Sequence, residues 1–235
     1  MTDIEYLDKY YSGDINEAIK RLENGEAIQY IVGNVDFYGR IFNVDKRVLI
    51  PRFETEELIS RTIKYIDDYF DFKPSILDIG TGSGCIAITL SLELKCSVDA
   101  LDISEYALEV AKDNCSLNSA DVNFIKSDLF ENVHKKYDVI ISNPPYISID
   151  EQIDDVVFRN EPHLALYAQD KGLAIYKKIF KSVENYINNK AFLAFEIGYQ
   201  QGRELVYCVQ DIFPQANVWV EKDLSGKDRF LFVKI

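Results

Sequence analysis

The chain has 235 residues, 47% of them apolar, which suits one full α/β domain with a large core plus a small additional piece. Acidic residues outnumber basic ones by 39 to 26, for a formal net charge of −13. That balance argues against tight binding to a nucleic-acid backbone, which needs clustered Lys and Arg, and is compatible with a basic protein partner or simply with solubility.

Ile4 to Asn24 reads as helix, with Ile15, Ala18, Ile19 and Leu22 at helical spacing and Gly25 as its stop. Ala27 to Ile50 alternates apolar and polar residues, with Gly33 and Gly39 as turn points, which predicts a hairpin ended by Pro51. Thr55 to Phe70 is amphipathic, with Leu58, Ile59, Ile63 and Ile66 on one face. From Lys73 strands alternate with helices. Strand Ser75–Ile79 precedes a helix from Gly84 to Leu94, and strand Ser97–Leu101 leads to a helix capped by Ser104 and running to Leu117. Strand Val122–Ile125 follows, then a strand over Tyr137–Ser142. A helix from Gly172 to Ile187, a strand over Phe192–Ile197 and a helix near Gln201–Ile212 come next. The strands Ala216–Glu221 and Arg229–Lys234 close the chain as a hairpin turning through Leu224–Lys227. Repeated βα units imply a largely parallel sheet with helices on both faces.

Cys85, Cys96, Cys115 and Cys208 show neither metal spacing nor a CxxC pair and read as reduced, small apolar side chains. No signal peptide opens the chain, and no apolar run is long enough to span a bilayer. A cytoplasmic protein with no membrane partner is expected.

Two motifs fall at strand carboxyl ends, the edge where ligands bind in open α/β sheets. Asp78-Ile79-Gly80-Thr81-Gly82-Ser83-Gly84 joins the first strand of the βα series to its helix. Its glycines alternate after an acidic residue, unlike the G-x-G-x-x-G of dinucleotide sites. Asp102 ends the next strand, where a carboxylate can accept from both hydroxyls of a ribose, though NAD would use it equally well. Asp128 follows the third strand and could accept from an adenine amine.

The second motif is Asn143-Pro144-Pro145-Tyr146, where two prolines stop a buried strand. The Asn143 side-chain oxygen and the Pro144 carbonyl can each accept one N–H of a planar NH2 group, and Tyr146 can stack on its plane. An amide nitrogen is a poor nucleophile. Two such bonds would favour positive charge growing on it and aim its lone pair. Glu196 is either a site acid or a satisfied strand-end carboxylate. His134 and His163 sit outside any nucleophile or zinc arrangement, so no metal is expected.

Together with Gln29-Tyr30-Ile31-x-Gly33, Pro51-Arg52-Phe53-Glu54-Thr55-Glu56, Asn160-Glu161-Pro162-x-x-Ala165-Leu166, Phe195-Glu196-Ile197-Gly198 with Gln201-Gly202, and the segment Asp223 to Arg229, these motifs resemble the HemK/PrmC family of release factor glutamine methyltransferases from about Glu26 to the C-terminus. Asn-Pro-Pro-Tyr alone would also suit an N6-adenine methyltransferase. The Pro-Arg-x-Glu-Thr-Glu and Asp-Leu-x-Gly-x-x-Arg segments point instead to the glutamine enzymes. A catalytically idle module that only binds S-adenosylmethionine (SAM) is a third reading.

The resemblance implies a class I, Rossmann-like SAM-dependent methyltransferase with a seven-stranded, mostly parallel sheet. It implies methyl transfer to N5 of the glutamine in the Gly-Gly-Gln loop of a peptide chain release factor, with no direct nucleic-acid partner. It places SAM against Asp78, Gly80, Thr81, Gly82, Gly84, Asp102, Ile103, Asp128, Leu129 and Asn143. It places the target glutamine against Asn143, Pro144, Pro145 and Tyr146, and the Pro51–Glu56 segment beside the methionine end of SAM. Where many family members carry a large aromatic after Asp128, this chain has Leu129, so adenine contact falls to Leu129 or Phe130. The expected units are a short helical segment (1–26) in place of the family's larger docking bundle, a hairpin connector (27–50) and the methyltransferase domain (51–235).

Overall fold

A computed structural model describes residues 2–235. The chain begins with two helices, α1 (Asp3–Tyr10) and α2 (Ile15–Glu23), in place of the single helix that the apolar spacing predicts. The break is local. Tyr11 takes extended backbone, and the Asp14 side chain accepts from the Asn16 N–H at 2.9 Å, capping a new helix. Residues 28–32, read above as hairpin, form α3 (Ile28–Val32), ended by Gly33 in the left-handed region at φ +84°. Ile31 packs with Leu7 and Ala18, so the three helices share one small core. The hairpin is correspondingly shorter. It pairs β1 (Asn34–Phe37) with β2 (Arg40–Asn43) through Tyr38 and Gly39, both at positive φ.

Beyond it the alternation follows the predicted order. Helix α4 (Phe53–Tyr69) leads to β3 (Ile76–Ile79), α5 (Cys85–Leu94), β4 (Val98–Asp102), α6 (Glu105–Asn118), β5 (Val122–Lys126) and β6 (Tyr137–Ser142). Ser104 caps α6 as expected, accepting from the Ala107 N–H at 3.2 Å. A run of short pieces comes next: β7 (Ile147–Ser148), α7 (Asp155–Asn160), α8 (His163–Leu166) and β8 (Tyr167–Ala168). Then follow α9 (Ala174–Val183), β9 (Ile187–Glu196), α10 (Gly202–Ile212), β10 (Asn217–Lys222) and β11 (Asp228–Lys234). Helix α9 ends earlier, and β9 starts earlier, than the pattern suggests. After buried Ile187, residues Asn188 to Lys190 of β9 face solvent and carry no apolar signal.

The main sheet has seven strands in the order β10-β11-β9-β6-β3-β4-β5. Strand β11 is antiparallel to both its neighbours, while the pairs from β9 to β5 are parallel. Each face of the sheet buries its own core. Leu77, Ile79 and Ile140 meet Tyr176, Ile179 and Phe180 of α9 and Leu205 and Val209 of α10. On the other face Ile76, Val139, Ile141 and Phe232 meet Leu58, Ile59 and Ile66 of α4 and Ile86 and Leu90 of α5. This is the class I methyltransferase architecture, with the small helical unit and hairpin set before it.

Candidate active site

The site follows from the strand order. The chain leaves β3 for β4 on one side and returns to β6 on the other, so a topological switch point lies between β3 and β6. Ile79 pairs in register with Ser142, and Ser142 Oγ donates to the Ile79 carbonyl at 2.6 Å. The glycine turn and Asn143 therefore start side by side. Gly80 and Gly82 have φ of +74° and +55°, and a Cβ on either would meet nothing within 4 Å, so the space over the turn is open. Gly84 is different. A Cβ there would lie 2.8 Å from Ile88 Cδ1 and 3.2 Å from Ala111 Cβ, so this glycine allows α5 and α6 to approach.

A cavity of about 210 Å³ opens above the switch point. Gly80, Thr81 and Gly82 line it together with Asp102 and Ile103 after β4, Asp128 and Leu129 after β5, and Asn143, Pro144 and Pro145 after β6. Three of the residues expected at the site stand outside this lining. Gly84 lies between helices. Asp78 is fully buried beneath the turn, where its Oδ2 accepts from Thr81 Oγ1 at 2.6 Å. Burial pushes the Asp78 carboxyl up to about 7. Tyr146 packs against the core beneath and turns its hydroxyl toward Glu196.

Asp102 accepts from the Gly82 N–H at 2.9 Å through Oδ2 and from the Ser104 N–H at 2.8 Å through Oδ1. Each oxygen keeps a further lone pair for a ligand. Burial raises the pKa of Asp102 against these backbone donors. Leu129 reaches the cavity from a left-handed backbone at φ +48°, its carbonyl held by Ser127 Oγ at 2.7 Å. Phe130 instead stacks on Tyr186, with centroids 4.4 Å apart, inside the core. Leu129 is thus the one that faces the cavity.

Much of the remaining wall comes from segments whose place in the site cannot be read locally. Arg47, Val48, Leu49, Pro51 and Thr55 contribute from one side, and Pro162, Leu164 and Ala165 from another. Glu161 joins the two: its carboxylate pairs with Arg52 and accepts from the Ile50 N–H at 3.0 Å. Asn160 extends the brace by donating to the Gly25 carbonyl at 2.8 Å and accepting from the Ala27 N–H at 3.3 Å. The only sequence signal for this wall was the pair of Pro-Arg and Asn-Glu-Pro motifs, far apart in the chain.

Behind Asn143 lies a second polar group. Asn143 Nδ2 donates to Thr55 Oγ1 at 3.2 Å, and Thr55 Oγ1 donates to Glu196 Oε2 at 2.7 Å. The Tyr146 hydroxyl donates to Glu196 Oε1 at 3.3 Å. Arg229 is held by Asp223, with Nε 3.2 Å from Oδ2, and donates to the Ile197 carbonyl at 3.2 Å. Burial pushes Asp223 upward, but bonds from Ser225, the Lys227 N–H and Arg229 outweigh it and hold the carboxyl down at about 2. Gln201 ties the loops together. Its Nε2 donates to the Tyr146 carbonyl at 2.9 Å and to the Lys171 carbonyl at 3.1 Å, while its Oε1 accepts from the Gly198 N–H at 2.9 Å.

Among the described residues no group of His, Cys, Asp or Glu is arranged to hold a metal ion, all four cysteines are free thiols, and no helix is long and apolar enough to cross a membrane. Burial pushes the Cys85 thiol up to about 12, which leaves it inert.

Known proteins share the sequence and fold that frame this site. The family model described as "Methyltransferase small domain" matches residues 57–161. A release factor glutamine methyltransferase of Lactococcus lactis is 43% identical over 94% of this chain and 82% of its own length. One from Bacillus cereus is 43% identical over 93% of this chain and 80% of its own. Among solved structures, a release factor-specific protein-(glutamine-N5) methyltransferase from Alicyclobacillus acidocaldarius shares 26% identity over 82% of this chain and 98% of its own, with a TM-score of 0.50. A ribosomal protein L11 methylase from Lactobacillus delbrueckii shares the fold at a TM-score of 0.58 and 20% identity, over 79% of this chain and 80% of its own. The chain belongs to the release factor glutamine methyltransferases.

Proposed function

We propose that this protein transfers the methyl group of SAM to the side-chain N5 of the glutamine in the Gly-Gly-Gln loop of a peptide chain release factor. The observation that carries the reading is the register of β3 and β6, which sets an open glycine turn beside Asn143-Pro144-Pro145 in one cavity.

The residues present fit SAM. The bare space over Gly80 and Gly82 admits the amino-acid portion against the backbone, the spare lone pairs of Asp102 suit a ribose diol, and Ile103 and Leu129 offer apolar walls to adenine with Asp128 at its edge. When bound, SAM supplies an electrophilic methyl on a sulfonium. Asn143 and Pro144 are the groups that act on the target amide. The Asn143 side-chain oxygen and the Pro144 carbonyl each accept one N–H, which turns the nitrogen lone pair toward the methyl and stabilises the positive charge that grows there. With SAM held there, its sulfonium would supply the methyl and leave as a neutral thioether, and the target nitrogen aimed by Asn143 and Pro144 would lose its proton to solvent. Tyr146 holds the floor of this site through Glu196. A flexible Gly-Gly backbone lets one long side chain extend into a narrow cavity.

Asn143→Ala removes one acceptor to the developing cation while leaving the glycine turn and Asp102 in place. Its kcat should fall by about 10²–10³-fold, the scale of removing one preorganised hydrogen-bonding group, with SAM affinity nearly unchanged by calorimetry. A variant that turns over at the wild-type rate would refute the role.

A further inference from the structure

Asn143 can work only if its amide oxygen, and not its NH2, faces the target. The two arrangements have nearly the same shape, so something behind Asn143 has to choose between them. We propose that Thr55 and Glu196 are positioning residues that fix the orientation of the Asn143 amide and turn it over when Glu196 takes up a proton. This rests on the functional reading above, which it deepens.

The choice follows from counting protons. Thr55 has one hydroxyl hydrogen and two lone pairs. Glu196, when ionised, only accepts, so at 2.7 Å it takes the Thr55 hydrogen. Thr55 then has only lone pairs left for Asn143, 3.2 Å away, and the amide must present its NH2 there. The Asn143 oxygen is left for the cavity. Thr55 and Glu196 are each 2% exposed, so water does not compete for these bonds. Protonated Glu196 reverses the order. Its O–H donates to Thr55, the Thr55 hydrogen is freed to bond the Asn143 oxygen, and the amide rotates its NH2 toward the target. Two donors then face each other and the site is off.

Glu196 is built to titrate in a useful range. Burial, supported by the neighbouring Glu54 charge, raises its carboxyl to about 7, against the opposing effects of the Thr55 bond, the Arg229 charge and the Tyr146 bond. The surrounding elements supply Glu54 and Thr55 from α4, Cys85 from α5, Tyr146 after β6, Tyr176 from α9, whose hydroxyl donates to the Glu196 backbone carbonyl at 2.6 Å, and Arg229 from β11. Of these, Arg229 is the cation, so the ionised form keeps a countercharge without a direct bond that would compete with Thr55.

The test uses the full chain and the near-isosteric variant Thr55→Val, with Thr55→Ser as rescue. The wild-type kcat should fall toward acid with a midpoint near 7, well above an ordinary carboxylate. Thr55→Val should lower the plateau kcat by about tenfold, flatten that acid limb and leave SAM affinity within a few-fold, whereas Thr55→Ser should restore both the limb and most of the rate. A second readout needs no turnover. In 1H–15N spectra the Asn143 side-chain NH2 pair, assigned by its loss in Asn143→Ala, should titrate with the same midpoint in wild type and in Thr55→Ser, but not in Thr55→Val. An NH2 pair that is insensitive to pH in wild type, or that titrates unchanged in Thr55→Val, overturns the inference even if the substrate proves to be something else. A Thr55→Val enzyme with the wild-type rate and acid limb overturns it as well. Failure of the wild type to methylate a release factor would instead count against the proposed function.

Discussion

Replacing Gly172 by alanine tests whether the loop carrying Asn143 is held from outside the site. Gly172 ends a run of left-handed residues, with Asp170 at φ +56°, Lys171 at +54° and Gly172 itself at +84°. A Cβ there would sit 1.9 Å from the Tyr146 carbonyl oxygen and 2.5 Å from Gln201 Nε2. Real Cβ contacts stay beyond 3.0 Å, so the Tyr146 peptide or the Gly172 loop must retreat by at least about 1.1 Å. The bond from Gln201 to the Tyr146 carbonyl cannot survive that shift. Left-handed alanine costs about 1–2 kcal/mol, overpacking about 1–3 and the lost bond about 0.5–1.5, for a destabilisation of about 3–6 kcal/mol. Gly25→Ala is the control, because Gly25 is equally left-handed at φ +82° but a Cβ there meets nothing within 4 Å. It should lose only the about 1–2 kcal/mol of the backbone term. Urea unfolding of both variants separates clash from backbone strain. Turnover adds a second measure. A displacement of about 1 Å in a positioning loop should lower kcat by about 10²-fold, with little change in SAM affinity. If Gly172→Ala unfolds no earlier than Gly25→Ala and turns over normally, the loop is not clamped as described.

Two further outcomes follow from the carboxylates. Asp102→Asn keeps the size of the side chain but weakens its acceptors, and should reduce SAM affinity by about 10-fold or more in calorimetry; unchanged affinity would refute the proposed contact of Asp102 with the ribose. Asp223 has its carboxyl held at about 2, below the ordinary 3.8, so it adds stability that is present above 3.8 and lost as pH falls through about 2. The gap in thermal midpoint between wild type and Asp223→Asn should therefore be wide at pH 7 and close steadily in acid, and a gap independent of pH would contradict the Arg229 clamp.

Much of this fold was legible because its signals are local. The strands β3 to β6 and the helices between them fall within a residue or two of their apolar runs, and glycine and Ser104 mark the ends. The misreadings also have local causes. The apolar spacing of Ile4–Asn24 continues across Tyr11–Asp14, and the break there is marked only by the short signals of Ser12-Gly13 and the Asp14 cap. Ala27–Val32 is a short apolar run that suits strand or helix equally, and its packing against Leu7 and Ala18 decides for helix. In the site, residues at strand ends could be named because the switch-point rule needs only strand order. Thr55 is placed near SAM only as part of the Pro51–Glu56 segment, and its bond to Glu196 could not be read because that partner is remote in sequence. Gly84 belongs to the glycine motif by spacing alone, and only the closeness of Ala111 shows that it serves helix packing.

Under the proposed function, the amide gripped by Asn143 and Pro144 is a glutamine side chain. Incubating the protein with SAM and a purified release factor, digesting the product and sequencing it by mass spectrometry tests this directly. One added methyl on the glutamine of the Gly-Gly-Gln peptide is expected, absent when Asn143→Ala replaces the wild type. An unmodified peptide alongside methylated adenine in DNA or RNA would contradict it.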